Sequence, residues 1–345
     1  MQFARTPARR VIVLWLRDHY RFGPYLCAVI ARRRYSIEVV QGSAYSPSVA
    51  MLRKMRVGMM SVSASKLNPI GKTVVTDDPD IAAGAGWKRR YLLDYDYYGS
   101  LTRAGTRNDG LIAPYFMHPN IYETGLDQVV ATLRTSPKRI RVFFAGTVGE
   151  KAYGDKFVGP MLNRHVVMTT LLEAAGEAVE HVTRGTDRDA FLASPHAIVV
   201  ALTHATEDTL VKHSLTQFEM LRFMASSHFF VCPPGFRYPH SHNVIESMAV
   251  GAIPITNYGH LFDPPLEHGH TCLRFATTKD LHDALRQATN MPVDALAQLR
   301  DNVLRYYDEH LAPESLFARL REGVPGVTIL HVLNEGLVFD SAAAS

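Results

Sequence analysis

Short apolar runs that end at Gly, Pro or Asp alternate along this chain with longer stretches whose apolar residues recur three and four positions apart. The short runs are typical of buried strands, and the longer stretches are typical of helices that bury one face. In the second half, this pattern predicts strands at residues 139–145, 197–202, 228–232 and 252–256, and helices near residues 162–182, 208–225, 241–250, 279–289 and 293–310. Such an alternation predicts a parallel sheet with right-handed crossovers.

The first half is less regular, but four apolar runs predict strands at residues 10–16, 37–40, 73–76 and 90–94. Residues 115–138 contain Pro119 and Pro137 and form the natural hinge between the halves. With 345 residues, the chain is long enough for two domains that each bury a core. We therefore predict an N-terminal domain at residues 1–125, a C-terminal domain at residues 126–325, and a tail at residues 326–345 that could return to the first domain.

Composition supports a globular α/β protein. Hydrophobic residues make up 47% and charged residues 20%, with a net charge of +4, which excludes wholesale disorder. The apolar run at residues 11–16 is far shorter than the roughly 18 residues that a membrane-spanning helix needs. The three cysteines are scattered and include no C-x-x-C pair, so neither a disulfide framework nor a metal site is expected. These features predict a cytoplasmic protein.

Positive charge is concentrated near the N-terminus, which favours an anionic ligand or surface. The residues concerned are Arg5, Arg9, Arg10, Arg17, Arg21, Arg32, Arg33, Arg34, Arg53, Lys54 and Arg56. A solvated surface with no partner explains them equally well. Aromatic residues do not alternate with them in the manner of single-strand-binding proteins, so nucleic acid is not an expected partner. A peripheral contact with the anionic inner face of a membrane is the second expectation.

Four widespread catalytic or nucleotide-binding motifs are absent. The chain has no G-x-x-x-x-G-K-[ST], no G-x-G-x-x-G after a strand, no H-E-x-x-H and no G-x-S-x-G. These absences weigh against a P-loop nucleotidase, a dinucleotide dehydrogenase, a zinc protease and a serine hydrolase.

The strongest motif is the stretch of residues 229–256, which has the pattern strand, Pro/Gly loop, helix, strand. The free N–H groups at the start of the helix suit a phosphate. Glu246 has two interpretations. It either grips the hydroxyls of a ribose, or completes a capping box with Asn243, three positions before it.

Residues 218–265, which include the run FFVCPPGFRYPHSHNVIESMAVGAIPIT, resemble the C-terminal half of exostosin-like glycosyltransferases. The resemblance implies a GT-B fold: two Rossmann-like domains with parallel sheets that face a central cleft, the C-terminal domain holding a nucleotide sugar. It implies that Glu246 takes the ribose, that Gly235 and Ser241 to Asn243 lie near the diphosphate, and that Asn257 and Tyr258 contact the donor sugar.

The chain departs from the family pattern at two positions. His242 stands where the family often has Arg, which leaves open whether this position supplies positive charge or only a hydrogen bond. Tyr238 occupies the place at which many retaining GT-B enzymes have a second Glu. The resemblance therefore implies an inverting reaction.

A second glycine-rich patch follows the predicted strand at residues 139–145. Gly146, Thr147 and Gly149 could let backbone N–H groups approach a phosphate, and Arg164 could reach the same oxygens with its planar guanidinium group. An ordinary strand-to-helix turn with a surface arginine is the alternative interpretation.

Inversion needs a base that takes the acceptor hydroxyl's proton. We expect it in the first half, and the candidates are Asp18, His19, Asp94, Asp96 and His118. Asp96 and His19 are preferred because each follows a predicted strand end. Asp94 and Asp96 also form a D-x-D pair, which resembles the metal site of GT-A transferases.

The sequence as a whole predicts a glycosyltransferase that moves a sugar from a nucleotide-diphosphate donor to a saccharide or lipid-linked acceptor. It is expected to be inverting, to need no cofactor, and to act in surface-polysaccharide synthesis in the cytoplasm or at the inner membrane face. Two alternatives remain: a non-catalytic subunit that binds saccharide or nucleotide, and a metal-dependent GT-A-like transferase that uses Asp94 and Asp96.

Overall fold

The chain folds into two compact units in a computed structural model. The structure describes residues 11–16, 22, 25, 26, 29, 36–41, 59–103, 110–149, 161–202, 215–235, 238–322 and 326–333. The first unit comprises Met1–Pro114, Tyr122–Thr124 and Pro313–Gly336. The second comprises Tyr115–Ile121, Gly125–Ala312 and Leu337–Ser345. The chain first passes from the first unit to the second after Pro114 and passes to it again after Thr124.

The first unit is built on a seven-stranded parallel sheet with the strand order β3-β2-β1-β4-β5-β13-β6. Its strands are β1 (Val11–Trp15), β2 (Ser36–Gln41), β3 (Met59–Ser63), β4 (Thr73–Thr76), β5 (Arg89–Asp94), β6 (Leu111–Ile112) and β13 (Val327–His331). The four predicted strands are present within one residue at each end. The sequence pattern missed β3, β6 and β13; of these, β6 has only two residues, too few to show any periodicity.

The segment Pro313–Gly336 belongs to the first unit. Strand β13 lies between β5 and β6, and its register pairs Ile329 with Leu92 and His331 with Asp94. The helix before it, Pro313–Glu322, is also part of this unit, although the sequence assigned residues up to 325 to the second domain. The chain passes from the second unit to the first after Ala312. No change in amino-acid composition marks that point in the sequence.

The second unit contains a six-stranded parallel sheet with the order β12-β11-β10-β7-β9-β8. Its strands are β7 (Ile140–Gly146), β8 (Val179–His181), β9 (His196–Leu202), β10 (Ser227–Cys232), β11 (Ile253–Thr256) and β12 (Leu273–Arg274). From β7 the chain goes to the edge strand β8 and returns through β9; it then crosses to β10 and continues outward to β11 and β12. The direction of the connections therefore reverses between β7 and β10. Open parallel sheets bind ligands beyond the carboxyl ends of their strands at such a reversal.

The helices are α1 (Pro79–Ala83), α2 (Tyr97–Arg103), α3 (Pro119–Thr124), α4 (Val130–Leu133), α5 (Arg164–Ala175), α6 (Arg188–Ala193), α7 (Gln217–Ala225), α8 (His242–Ala249), α9 (Thr278–Asn290), α10 (Val293–Tyr306) and α11 (Pro313–Glu322). The helix predicted near residues 162–182 ends at Ala175, and the chain continues into β8. Helix α6 was not predicted. No helix in the described part of the chain is long and apolar enough to cross a membrane.

Local chemistry explains where several helices start. Asp78 accepts from the N–H groups of the first turn of α1, and α7 and α9 each begin with a capping box built on Thr216 and Thr277. Aromatic residues fill the core of the second unit: the Phe143 ring lies 5.5 Å from Phe223 and 5.6 Å from Phe230. This packing holds the neighbouring strands β7 and β10 in place.

Candidate functional site

Polar groups of the second unit converge at the reversal between β7 and β10. Strand β7 ends at Gly146, β10 is followed by Pro233, Pro234 and Gly235, and α8 starts at His242. Parallel strands bring all these segments to one edge of the sheet. The two motifs that the sequence singled out, 90 residues apart, are therefore neighbours in the fold.

The start of α8 suits an anion. Its N-cap is Ser241, whose side chain accepts no hydrogen bond from the helix amides. The first turn contains no acidic residue, so neither a cap nor a carboxylate neutralises the positive end of the helix dipole. Asn243 lies inside the helix, where its Nδ2 atom donates to the Ala145 carbonyl oxygen at 3.2 Å. The proposed capping box of Asn243 and Glu246 is therefore wrong, because the helix begins before Asn243.

Glu246 is a buried carboxyl group, 2% exposed, one turn into α8. Its Oε1 atom accepts a hydrogen bond of 2.9 Å from the backbone N–H of His118. Burial raises the pKa of the Glu246 carboxyl, while the neighbouring His242 and the His118 N–H act in the opposite direction. A buried carboxyl with so few protein partners is suited to accept hydrogen bonds from a bound diol.

His242 is fixed by the segment before α3. Its Nδ1 atom lies 2.8 Å from the Phe116 carbonyl oxygen, and its ring stacks on Tyr115 with centroids 4.9 Å apart. Because a carbonyl only accepts, Nδ1 carries the proton. In the neutral ring, Nε2 then has the lone pair and faces the Tyr115 hydroxyl at 3.4 Å. The protein thus engages Nδ1 of His242, and whether this position supplies charge or only a hydrogen bond to a ligand stays a prediction.

Arg164 is the first residue of α5 and is buried, at 8% exposure. Its Nε atom donates to the Pro234 carbonyl oxygen at 3.1 Å. One terminal nitrogen lies 3.8 Å from the position that a Cβ atom at Gly146 would take. The guanidinium group therefore joins the ends of β7 and β10, and Arg164 is not a surface arginine. Its contact with a phosphate stays a prediction.

The glycines of the site differ in their backbone conformation and in the space that their surroundings leave for a side chain. Gly146 has φ of +152°, a conformation that favours glycine. At Gly235 a Cβ would lie 2.7 Å from the Tyr238 carbonyl oxygen and 2.8 Å from that of His240, so no side chain fits. Gly149 has open space around it, and Thr147 is half-buried. Close packing thus explains why position 235 has a glycine, but it gives no reason for the glycine at position 149.

Asn257 and Tyr258 follow β11 and are enclosed. Asn257 donates from Nδ2 to the Leu162 carbonyl oxygen at 2.9 Å, while its buried Oδ1 has no hydrogen-bond partner among the described residues. Tyr258 is completely buried, stacks on Phe262 at 6.2 Å, and its pKa is raised by burial. Because the Tyr258 side chain is completely buried, it offers no exposed surface for the predicted contact with a sugar.

Asp94 and Asp96, two of the candidate bases, belong to the first unit, and His118 belongs to the second. Asp96 is exposed and its Oδ1 atom accepts from the Gly99 N–H at 3.1 Å, which caps α2. Asp94 accepts from the Asp96 N–H at 3.1 Å and lies 2.9 Å from Nδ1 of His331. His19 and the N-terminal basic residues lie outside the described residues. Among the residues that the structure places, no three metal-binding side chains cluster.

Tyr115, Phe116 and the backbone of His118 are the site residues that sequence reasoning missed. They lie 126 to 128 positions before the residues they contact. No spacing rule connects segments so far apart, although Pro119 and Pro137 had marked the region as a hinge.

The fold of this chain is similar to that of a solved structure. A glycosyltransferase from Rickettsia africae superimposes with a TM-score of 0.50 at 9% identity, over 91% of this chain and 97% of its own. The chain has the GT-B fold. Its two parallel sheets correspond to the two Rossmann-like domains of that fold.

Two further structures have lower scores. Anabaena HepE in complex with UDP-glucose gives a TM-score of 0.46 at 12% identity, covering 90% of this chain and 98% of that one. A trehalose-phosphate synthase from Burkholderia vietnamiensis gives 0.40 at 10% identity, with coverage of 91% and 100%. No protein-family model and no curated protein sequence matches the chain. At these identities the likeness concerns the fold.

Proposed function

We propose that this protein is a GT-B glycosyltransferase that uses a nucleotide-diphosphate sugar, held at the carboxyl edge of β7 and β10. One observation carries the proposal: a buried carboxyl group, Glu246, lies one turn inside a helix whose positive end is uncapped, at the point where the strand order reverses. A ribose and a diphosphate need these two features side by side.

Each part of the donor has a matching group. The first amides of α8 and the Arg164 guanidinium would bind the diphosphate and stabilise it as it leaves. The Glu246 carboxylate would accept hydrogen bonds from the ribose hydroxyls. The sugar would lie near Asn257, whose buried Oδ1 atom can accept a hydroxyl hydrogen bond. The helix amides and the Arg164 guanidinium would thus stabilise the negative charge of the leaving diphosphate.

The finer assignments rest on the local sequence resemblance and on charge. The run at residues 218–265 supports an exostosin-like enzyme, and Tyr238 in place of a second Glu supports inversion. The acceptor is a saccharide or a lipid-linked saccharide of a surface polysaccharide. The N-terminal arginines would give a peripheral contact with the inner face of the membrane.

Isothermal titration calorimetry with UDP, GDP, CMP and dTDP tests the donor site directly. We expect micromolar binding of one nucleoside diphosphate and at least 10-fold weaker binding of its nucleoside. Release of the same diphosphate from the matching nucleotide sugars then tests turnover. Binding without turnover would favour the non-catalytic subunit. Failure of UDP, GDP and dTDP all to bind, or binding of the monophosphate CMP alone, would overturn the proposal.

Dependence on metal is measured in the same assay. Asp94 and Asp96 each accept a hydrogen bond within the first unit, so we expect turnover to persist in EDTA. Loss of turnover in EDTA that manganese restores would support the GT-A-like alternative.

A further inference from the structure

Basic side chains meet at the amino edge of the second sheet, the edge opposite to the one that we assign to the donor. Lys138 precedes β7, and its Nζ atom donates to the carbonyl oxygens of Ser227 and Gly251, at 2.8 and 3.0 Å. Ser227 opens β10 and Gly251 precedes β11. Arg300, on α10, reaches the same point, because its Nε atom lies 3.1 Å from the position that a Cβ atom at Gly251 would take. Lys138 and Arg300 therefore converge on the Gly251 backbone.

Two further residues complete this group. The register of β7 and β10 places His228 beside Arg141, on the same face of the sheet. Burial and the positive charges of Lys138, Arg141 and Arg300 together lower the pKa of His228 to about 4. The four side chains thus act on one another through their charges. We call Lys138, Arg141, His228 and Arg300 the basic cluster.

The basic cluster lacks a counter-ion within the described ranges of the chain, where none of its four members forms an ion pair with a carboxylate. The neighbouring Arg134, whose carbonyl oxygen accepts a hydrogen bond from Arg300, pairs with Asp308 through both carboxylate oxygens, at 2.7 and 2.8 Å. The buried Nε atom of Arg300 has no hydrogen-bond partner among the described residues. Positive groups held together without a carboxylate leave a charge that a bound anion would balance.

Lys138 is the member of the basic cluster whose charge would respond to an anion. Burial and the nearby Arg300 lower its pKa to about 7. A neutral amine has two N–H bonds, and the carbonyl oxygens of Ser227 and Gly251 accept two. The ammonium form has a third N–H bond, which an anion can accept. Because a bound anion favours the ammonium form, binding above pH 7 would be accompanied by uptake of a proton.

We propose that the basic cluster is a second ligand site of this protein and that it binds a small phosphate-type anion, such as inorganic phosphate or diphosphate. The anion is small because Lys138 and Arg300 reach a single glycine, Gly251, so the positive charge is concentrated at one point. Several charges on adjacent oxygens match ammonium and guanidinium donors. All members of the site belong to the second unit, and the proposal does not depend on the assignment of the donor site.

Calorimetric titration with inorganic diphosphate at pH 7 tests the site, in the wild type and in Arg164→Gln, which weakens the proposed donor site. We expect a binding event that persists in Arg164→Gln and is weakened at least about 10-fold by Lys138→Met or Arg300→Gln, since each removes a charged donor. Lys279→Met and Arg286→Gln, at exposed positions on α9, are the matched controls and should bind within twofold of the wild type. Near-UV circular dichroism verifies that each variant is folded.

Proton uptake is the second measurement, and it needs no substitution in the basic cluster. Sulfate serves as the probe because it keeps its charge near neutral pH, and Arg164→Gln is titrated with it at pH 8 in buffers of different ionisation heat. We expect uptake of up to about one proton per bound anion, taken by Lys138. Absence of uptake, equal diphosphate affinity of Lys138→Met and Lys279→Met, or loss of all binding in Arg164→Gln would overturn the second site. Failure of the nucleotide titrations would instead overturn the proposed function and leave this site standing.

Discussion

The backbone N–H of His118 donates a 2.9 Å hydrogen bond to Oε1 of Glu246, across 128 positions of sequence. The contact joins the segment before α3 to the helix that we assign to the donor. It also holds a carboxyl group in the interior whose removal from water raises its pKa. The first two predictions follow from this arrangement.

Glu246→Gln should weaken binding of the nucleoside diphosphate by about 10- to 100-fold. The amide keeps the size of the side chain but accepts hydrogen bonds less strongly than a carboxylate. Calorimetry measures the effect, and Glu173→Gln on the exposed face of α5 is the control. An unchanged affinity in the folded Gln variant would remove Glu246 from the ribose site.

The same substitution should change how stability depends on pH. Because the Glu246 pKa is raised by folding, the native state holds a proton that the unfolded chain releases. The wild-type free energy of unfolding therefore falls as pH rises from the ordinary glutamate value through the raised one. Urea unfolding of both proteins between pH 4 and 8 should show Glu246→Gln gaining stability relative to wild type. A difference that does not vary with pH would contradict this account.

Arg164→Gln should weaken binding of the nucleoside diphosphate more than binding of the nucleoside. The guanidinium lies at the ends of β7 and β10, where we place the diphosphate. We expect about 10-fold or greater weakening for the diphosphate and less than threefold for the nucleoside. Arg164→Lys should recover part of the loss, since charge remains but the planar geometry does not. Exposed Arg286→Gln is the control, and equal weakening of both ligands would exclude a phosphate contact.

Gly235→Ala should disturb the loop between β10 and α8. The added methyl group would meet two carbonyl oxygens of the backbone at 2.7 and 2.8 Å, so the loop must move. We expect a loss of about 1–3 kcal/mol in stability together with weaker nucleotide binding. Gly185→Ala is a matched control, since the nearest atom to its Cβ lies 3.9 Å away. If thermal unfolding shows equal melting temperatures for the two variants, the loop is more adaptable than the structure indicates.

Lys138 gives a separate prediction about pH. Its Nζ atom donates to the carbonyl oxygens of Ser227 and Gly251, at 2.8 and 3.0 Å. Burial and the nearby Arg300 lower its pKa to about 7. Between pH 7 and the ordinary lysine value, the unfolded chain therefore binds more protons than the native state, and stability rises with pH.

Comparison of the wild type with Lys138→Met isolates the contribution of Lys138 to the pH dependence of stability. The stability of the wild type relative to the variant should rise by up to about 1 kcal/mol per pH unit between pH 7 and 9. Lys279→Met, at an exposed position on α9, should show no such trend. Chemical unfolding at each pH is the measurement, and parallel curves for Lys138→Met and wild type would argue against a shifted lysine.

The sequence by itself determined the parts of this protein that depend on neighbouring residues. Apolar runs closed by Gly, Pro or Asp located β4 at its observed bounds and β1, β2, β5, β7, β9, β10 and β11 to within one residue at each end. The Pro233 to Gly235 break and the helix after it were readable because proline and glycine restrict or free the backbone locally. These signals also located the carboxyl ends of β7 and β10, which Arg164 joins.

The tertiary structure decided which distant groups meet. Only the fold pairs Glu246 with His118, stacks His242 on Tyr115, and inserts β13 so that His331 lies beside Asp94. Periodicity reports which face of an element is buried, but not which element covers it. A cap or a hydrogen bond likewise depends on where a helix begins, as the failed capping box of Asn243 shows. Those choices are made by packing of the whole chain, because many pairings satisfy the local pattern and only one fills the core.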